Sequence, residues 1–95
     1  KAAVNASGGN MYGYHIYNPN SVVAYVQFFN LASASVTVGS TTPNMVVAIP
    51  AFGWADSPTT GPGIGFATAL TVAATTTSTG SGNPTSAIMT NIWYK

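Results

Sequence analysis

The sequence predicts an all-β fold: an antiparallel β-sandwich, jelly-roll or immunoglobulin-like, with about seven short strands and no significant helix. Segments rich in aromatic and β-branched residues, which pack well on a pleated surface, alternate with turn residues at short intervals. No stretch of useful length shows the apolar periodicity of a helix. The 95 residues suffice for one domain, so we treat residues 1–95 as a single sandwich domain.

The stretch 12–30 is the strongest strand signal, because it contains four of the five tyrosines and two of the four phenylalanines. Two strand-like runs, 11–17 and 22–30, flank the tetrad Asn-Pro-Asn-Ser at 18–21. Proline presets φ at the first corner of a turn, and asparagine tolerates the dihedral angles of the second. We therefore expect a β-hairpin whose two arms pair directly.

Alternation along a strand assigns each side chain of the hairpin to one of two faces. His15 and Gln27 mark the less buried face, which nevertheless carries Tyr17, Tyr25 and Phe29. A sheet with one side in water normally alternates apolar and polar residues more cleanly. We therefore expect this second face to be covered, either by a loop or by a neighbouring subunit. The predicted core residues are Tyr14, Ile16, Ala24, Val26, Phe28, Leu70, Val72 and Ile92.

Five further strands are predicted downstream, at 35–38, 45–49, 64–66, 69–75 and 87–94. The segment 51–63 is predicted to be irregular because it contains three glycines and two prolines. We expect Phe52 and Trp54 to anchor this segment over an open end of the core, whereas exposed aromatic side chains there would indicate a contact site. The segment 76–84 is low in complexity and is predicted to be flexible.

Charge is almost absent from this chain, at 3% of residues against about 25% in an ordinary globular domain. The only charged side chains are Lys1, Asp56 and Lys95, and the formal net charge is +1. Such a chain has no field to attract nucleic acid or an anionic membrane, so we expect neither as a partner. Low charge favours association, as inside an assembly, although a secreted domain with a neutral surface would share this composition.

Groups that could perform chemistry are few. With no cysteine, one histidine and one acid, the chain has no disulfide and too few ligands for an ordinary metal site. A Ser-His-Asp site needs its three groups together, but we expect His15 on a strand and Asp56 in a distant loop. A glycosidase normally needs two carboxylates. We therefore predict a non-enzymatic protein without a cofactor.

Two stretches resemble small β-sandwich proteins encoded among the virion genes of tailed bacteriophages. They are Met-Tyr-Gly-Tyr-His-Ile-Tyr-Asn-Pro-Asn at 11–20 and Ala-Tyr-Val-Gln-Phe-Phe-Asn at 24–30. The segment 68–80 and the closing Asn-Ile-Trp-Tyr-Lys at 91–95 are also similar to that group, whereas 51–63 does not match. Because such proteins have a further stretch upstream, the resemblance implies that an N-terminal segment can precede Lys1.

The resemblance implies a virion structural protein. The leading interpretation is a capsid decoration or cement protein at the capsid surface, whose partners are the major capsid protein, neighbouring virion subunits or its own copies, as in a trimer. One alternative is a subunit of an extracellular fibre or pilus-like filament, in which the next subunit supplies a missing strand. Another is a carbohydrate-binding module that stacks sugars on Tyr17, Tyr25, Trp54 or Trp93.

The candidate interface combines the second face of the predicted hairpin with the aromatic part of the 51–63 segment. With so few charged side chains, we expect a contact that depends on apolar burial and is nearly insensitive to salt. The candidate interface residues are Tyr17, Val23, Tyr25, Phe29, Phe52 and Trp54.

Overall fold

The computed structural model describes residues 1–58 and 63–95 and confirms the predicted all-β fold. Its only helix within those ranges is a three-residue 3-10 turn, Ser33–Ser35, and no helix there could cross a membrane. The strands form two antiparallel sheets, consistent with a β-sandwich. The described residues form eight strands: β1 Ala2–Asn5, β2 Gly9–Tyr17, β3 Ala24–Phe29, β4 Met45–Ile49, β5 Trp54–Pro58, β6 Ile64–Phe66, β7 Leu70–Thr75 and β8 Met89–Tyr94.

The first sheet has the strand order β1-β7-β3-β4. In the second sheet, β2 is the central strand, with β8 along one side. Along the other side lie β5 and β6, which pair end to end with successive parts of β2. The nine residues of β2 therefore pair with all three of the other strands in the second sheet. Part of the segment predicted to be irregular is thus a strand, because Trp54–Pro58 pairs with β2.

The core lies between the two sheets and largely matches the prediction. Six of the eight predicted residues are buried, while Tyr14 and Ile92 are partly buried and pack against the same cluster. Met11 is also fully buried, although simple alternation from Tyr14 would place it on the opposite face. The register of β2 against β8 shifts between Met11 and Gly13. An extra residue at such a bulge inverts the alternation and turns Met11 inward.

The predicted hairpin is wrong, because β2 and β3 lie in different sheets and do not pair. Residues 18–23 instead form an arch that carries the chain across from the second sheet to the first. Local turn chemistry is the same for a hairpin and an arch, so the tetrad at 18–21 does not distinguish them. The difference lies in the partners, since β2 pairs with β5, β6 and β8 while β3 pairs with β4 and β7.

Two buried asparagines hold the arch in place. Asn18 Nδ2 donates to the carbonyl oxygens of Val22 at 2.9 Å and of Ile49 and Pro50, both at 3.1 Å. Its Oδ1 accepts from the backbone and side-chain nitrogens of Asn20, both at 2.9 Å. Asn20 in turn exchanges two hydrogen bonds with the backbone of Ser86, at 3.0 and 2.7 Å. The arch is thereby tied to the end of β4 and to the segment before β8.

The outer face of β3 is covered by the chain itself. We expected either a loop or a neighbouring subunit as the cover of β3, and the structure contains the loop. Phe29 packs with Val36 and Ala73 in a second apolar cluster. Gln27, expected on a less buried face, is fully buried and donates from Nε2 to Thr75 Oγ1 at 2.8 Å and Gly80 O at 3.0 Å. The strand predicted at 35–38 is absent, because Val36 packs over this outer face instead of joining a sheet edge.

We predict that Asn18→Asp destabilises the fold by about 3 kcal/mol or more. The change keeps the shape but removes both N–H donors and places a carboxylate against the carbonyls of Ile49 and Pro50, in a site with no access to water. Asn83→Asp is the control, because Asn83 is exposed. Urea unfolding measures both variants, and a loss below about 1 kcal/mol for Asn18→Asp would show that the arch does not depend on this amide.

Candidate interaction surface

The outer face of the second sheet is the most aromatic exposed surface of the described chain. It is formed by the residues of β2, β5 and β8 that alternate with the inward-facing core positions. Trp54 and Trp93 are each 55% exposed and Met89 is 60% exposed. We call this surface the aromatic face; its side chains are His15, Tyr17, Trp54, Asp56, Met89, Asn91 and Trp93.

The strand register arranges the aromatic face in rows across the sheet. One row runs from Met89 through Tyr17 to Trp54, because Tyr17 pairs with both neighbours. The ring centroids of Tyr17 and Trp54 are 4.6 Å apart. Trp54 also stacks on His15, with centroids 4.4 Å apart and planes inclined by 24°. These contacts hold Trp54 in place while leaving more than half of its surface open to water.

A second row contains the only ionisable pair of this surface. His15 pairs with Asn91 on one side and Asp56 on the other, and His15 Nδ1 lies 3.6 Å from Asp56 Oδ2. The expectation that Asp56 lies in a loop far from His15 is therefore wrong, because the segment that contains Asp56 forms β5. Both side chains are well exposed, so the pair contributes little to stability.

The second row offers little for catalysis or metal binding. The described outward side chains of β2, β5 and β8 include no serine, threonine or cysteine that His15 could activate. Within the described ranges, no group of three or more histidine, cysteine, aspartate or glutamate residues could hold a metal ion. The arrangement places the hydrogen-bonding groups of His15, Asp56 and Asn91 between aromatic rings.

The end of the sandwich next to Trp54 carries a second exposed apolar group. We call it the arch end; it consists of Val22, Val23 and Phe52, which are 60%, 39% and 63% exposed. Phe52 has φ = 51°, a conformation that is rare and strained for a bulky side chain. Its backbone N–H donates to Asn20 O at 3.0 Å. A cleft of about 280 Å³ between Pro19 and Phe52 opens beside it.

The predicted interface residues fall in four places. Tyr17 and Trp54 lie on the aromatic face, and Val23 and Phe52 lie at the arch end. Tyr25 lies partly buried on the outer side of the first sheet. Phe29 was assigned wrongly, since it is fully buried beneath the chain's own 31–38 segment and presents no surface.

The prediction that Phe52 and Trp54 anchor a loop over the core is wrong, because both side chains point away from it and are exposed. Met89 was missed, and Trp93 was named only as a candidate sugar-stacking residue and not as part of the candidate interface. Their signal is present in the sequence, because they alternate with Ile92 and Tyr94, which pack against the core. For Phe52 and Trp54 the structure contains the alternative stated for this segment, exposed aromatic side chains, while residues 59–62 of the segment lie outside the described residues.

Comparison of this chain with protein-family models, with curated proteins and with solved structures finds no match. The interpretation of the surface therefore rests on its own geometry and composition.

We predict unequal stability effects for two of the aromatic residues that the sequence assigned to the interface, Phe29 and Trp54. Phe29→Ala empties a closed cluster and is expected to lower the free energy of unfolding by about 3 kcal/mol or more. Trp54→Ala removes a side chain that is 55% exposed, so its cost is expected to be about 1 kcal/mol or less. Chemical denaturation of both variants tests this, and equal losses would contradict the assignment of Phe29 to the core and Trp54 to the surface.

Proposed function

We propose that this chain is a non-enzymatic structural subunit that docks onto neighbouring protein through the aromatic face and the arch end. The observation that carries the proposal is the exposure of Phe52, Trp54, Met89 and Trp93 in one region, on a chain with only three charged side chains. Monomeric proteins rarely expose extended apolar patches without a partner, and such patches often mark contact sites.

The two surfaces are continuous along the chain. Phe52 precedes Trp54 by two residues, and Tyr17 immediately precedes the arch residue Asn18, so the row Met89-Tyr17-Trp54 borders the arch end. The joint surface combines large rings with aliphatic side chains. Burial of apolar area stabilises a contact by about 25 cal/mol per Å² before the entropic costs of association. Exposed tryptophans and a phenylalanine are the residues that gain most from such burial.

The backbone of Phe52 supports a role beyond folding. A bulky residue at positive φ costs about 1–3 kcal/mol, and such strain persists only where the surroundings impose it. Here the Asn20 carbonyl and the turn that closes with Gly53 N–H donating to Pro50 O hold the conformation. Glycine or asparagine would adopt it more easily. Phe52 combines a strained backbone with an exposed aromatic ring. A role of the ring in contact with a partner explains this combination more simply than a role in stability.

The resemblance of 11–20 and 24–30 to tailed-phage virion proteins supports a more specific proposal. On that basis the chain is a capsid decoration or cement protein at the capsid surface, and its partners are the major capsid protein or neighbouring copies. A subunit of an extracellular filament would use the same surface, so the kind of assembly is the part that rests on the resemblance alone.

The test is co-sedimentation of the purified chain with stripped heads of the phage that encodes it, at about 50 and 500 mM salt. We expect binding that changes little with salt, because the contact has almost no ion pairs. Contacts built on phosphate or carboxylate pairing would weaken by orders of magnitude over a similar range. A chain that remains monomeric and binds no heads at either salt concentration would contradict the proposal.

The variant Phe52→Asn distinguishes a role of Phe52 in binding from a role in the stability of the fold. Asparagine tolerates positive φ, so we expect unfolding stability to stay unchanged or to rise by up to about 1 kcal/mol. Binding to heads is expected to weaken at least tenfold, because a large anchor side chain is lost. Ala48→Asn, on the exposed outer side of β4, is the matched control and should bind as the parent chain does. Unchanged binding by Phe52→Asn would remove the arch end from the interface.

A second candidate function is carbohydrate binding, favoured by the placement of Tyr17, Trp54 and Trp93 on one exposed sheet face. The apolar face of a sugar ring stacks on an aromatic ring, while amide and carboxylate groups such as those of Asn91 and Asp56 pair with hydroxyls. Tyr25, the fourth residue expected in this role, lies in the other sheet.

A glycan array with the parent chain and Trp93→Ala tests the carbohydrate function. We expect a carbohydrate-binding module to retain neutral glycans and to lose them when the Trp93 ring is removed. Asn83→Ala, at an exposed position away from the strands, controls for nonspecific loss. Glycan binding that persists in Trp93→Ala would show that the aromatic face is not the sugar site.

A further inference from the structure

The middle row of the aromatic face holds the only acidic side chain of the sequence beside its only histidine. Asp56 and His15 pair across β5 and β2, with His15 Nδ1 3.6 Å from Asp56 Oδ2. Trp54 lies two residues before the acid and stacks on the imidazole, with ring centroids 4.4 Å apart. On the β8 side the row ends at Asn91, two residues before Trp93. A partner that covers both exposed tryptophans therefore also covers this pair.

Covering the row removes the Asp56 carboxylate from water. In the free chain this side chain is 58% exposed, so water solvates its charge. A partner that binds by apolar burial takes that water away, and an ionised carboxylate is costly to bury unless an opposite charge neutralises it. Docking through this face therefore favours any state in which the row carries no net charge.

The chain has few groups that could neutralise this acid. Lys1 and Lys95 are the only lysines, and the sequence contains no arginine. The Lys1 ammonium group donates to Ser33 O and Val36 O at 2.7 and 2.5 Å. Lys95 follows Asn91 by four residues, which is about 13 Å along an extended strand. Among these groups, the imidazole in the same row is the one that contacts the carboxylate.

A protonated His15 suits this position. Histidine ordinarily gains its proton near pH 6.5, within the range in which proteins work. An imidazolium beside Asp56 forms an ion pair without net charge, and its ring lies against the Trp54 indole, whose face attracts a cation. Tyr17 also contacts Trp54, at 4.6 Å, but it is a phenol, and phenols are ordinarily neutral near pH 7.

We propose that docking through the aromatic face takes up one proton, which His15 and Asp56 share, so that the contact tightens as the pH falls through neutrality. This regulation rests on the proposed function, because it requires a partner that covers the face. The docked state favours the protonated pair. Affinity is therefore highest where the free pair already holds the proton, and it decreases as the pH rises through the range in which histidine loses it. A single proton limits the change to about tenfold per pH unit.

The test is co-sedimentation of the purified chain with stripped phage heads at about pH 6, 7 and 8, at one salt concentration. We expect the dissociation constant to increase at least tenfold from pH 6 to pH 8, because an ordinary histidine changes from mostly protonated to almost wholly neutral. Titration calorimetry in two buffers of different ionisation enthalpy measures the proton directly. An uptake of about half a proton or more per bound chain is expected at pH 7.

Three variants assign the proton to this row. Asp56→Asn keeps the shape without the charge, so at pH 8 it should bind at least as tightly as the parent chain does at pH 6. His15→Gln cannot take up the proton, so at pH 6 it should bind as weakly as the parent chain does at pH 8. Both parent side chains are well exposed, so the fold tolerates these changes. Lys95→Gln also changes the net charge by one unit and should keep the parent's pH dependence.

The outcomes separate this inference from the proposed function. Equal binding of the parent chain at all three pH values would overturn the inference alone. A pH dependence that persists in Asp56→Asn would belong to the heads and would also overturn it. Weaker binding of Asp56→Asn than of the parent chain at pH 8 would show that a basic group of the partner pairs with the acid, in place of a proton. No binding at any pH would contradict the proposed function and the inference together.

Discussion

The burial of β3 on both faces is the constraint on which the rest of the structure depends. Phe28 and Phe29 are adjacent, point in opposite directions and are both completely buried. The inner ring requires a second sheet, and the outer ring requires a cover. The 31–38 segment and the loop around Gly80 supply that cover, with Val36 packed on Phe29 and Gly80 O accepting from Gln27. A strand covered on both sides by its own chain needs no partner subunit there.

This constraint also determines which surface remains open. Because β2 cannot cover β3 from within the same sheet, the chain crosses the sandwich through an arch, and Asn18 and Asn20 satisfy the buried backbone groups at the crossing. The same arch positions Phe52 through its hydrogen bond to Asn20 O. What stays apolar and uncovered is the outer side of the second sheet and the adjoining arch end. Under the proposed function, contact with other molecules is therefore expected at this sheet face and this end.

Much of the core could be predicted from the sequence, because alternation along a strand is a local property. Ile16, Val26 and Phe28 lie where the period of two places them. Strand pairing is not local, so nothing at 18–21 distinguishes a hairpin within one sheet from an arch between two. The same limit explains the errors at the surface. Asp56 reaches His15 only because β5 pairs with β2. The glycines and prolines of 51–63 indicated an irregular segment, so this strand was not predicted.

Oxidative footprinting tests the central claim, that the chain completes its own core and keeps the aromatic face for a partner. Hydroxyl radicals should modify Trp54, Met89 and Trp93 rapidly in the free chain, and Met11, which is fully buried, slowly. In the native assembly we expect the first three residues to become protected by about tenfold or more, as in a buried interface core, while Met11 stays unreactive. Equal modification of Trp54, Met89 and Trp93 in the free and assembled states would contradict the account.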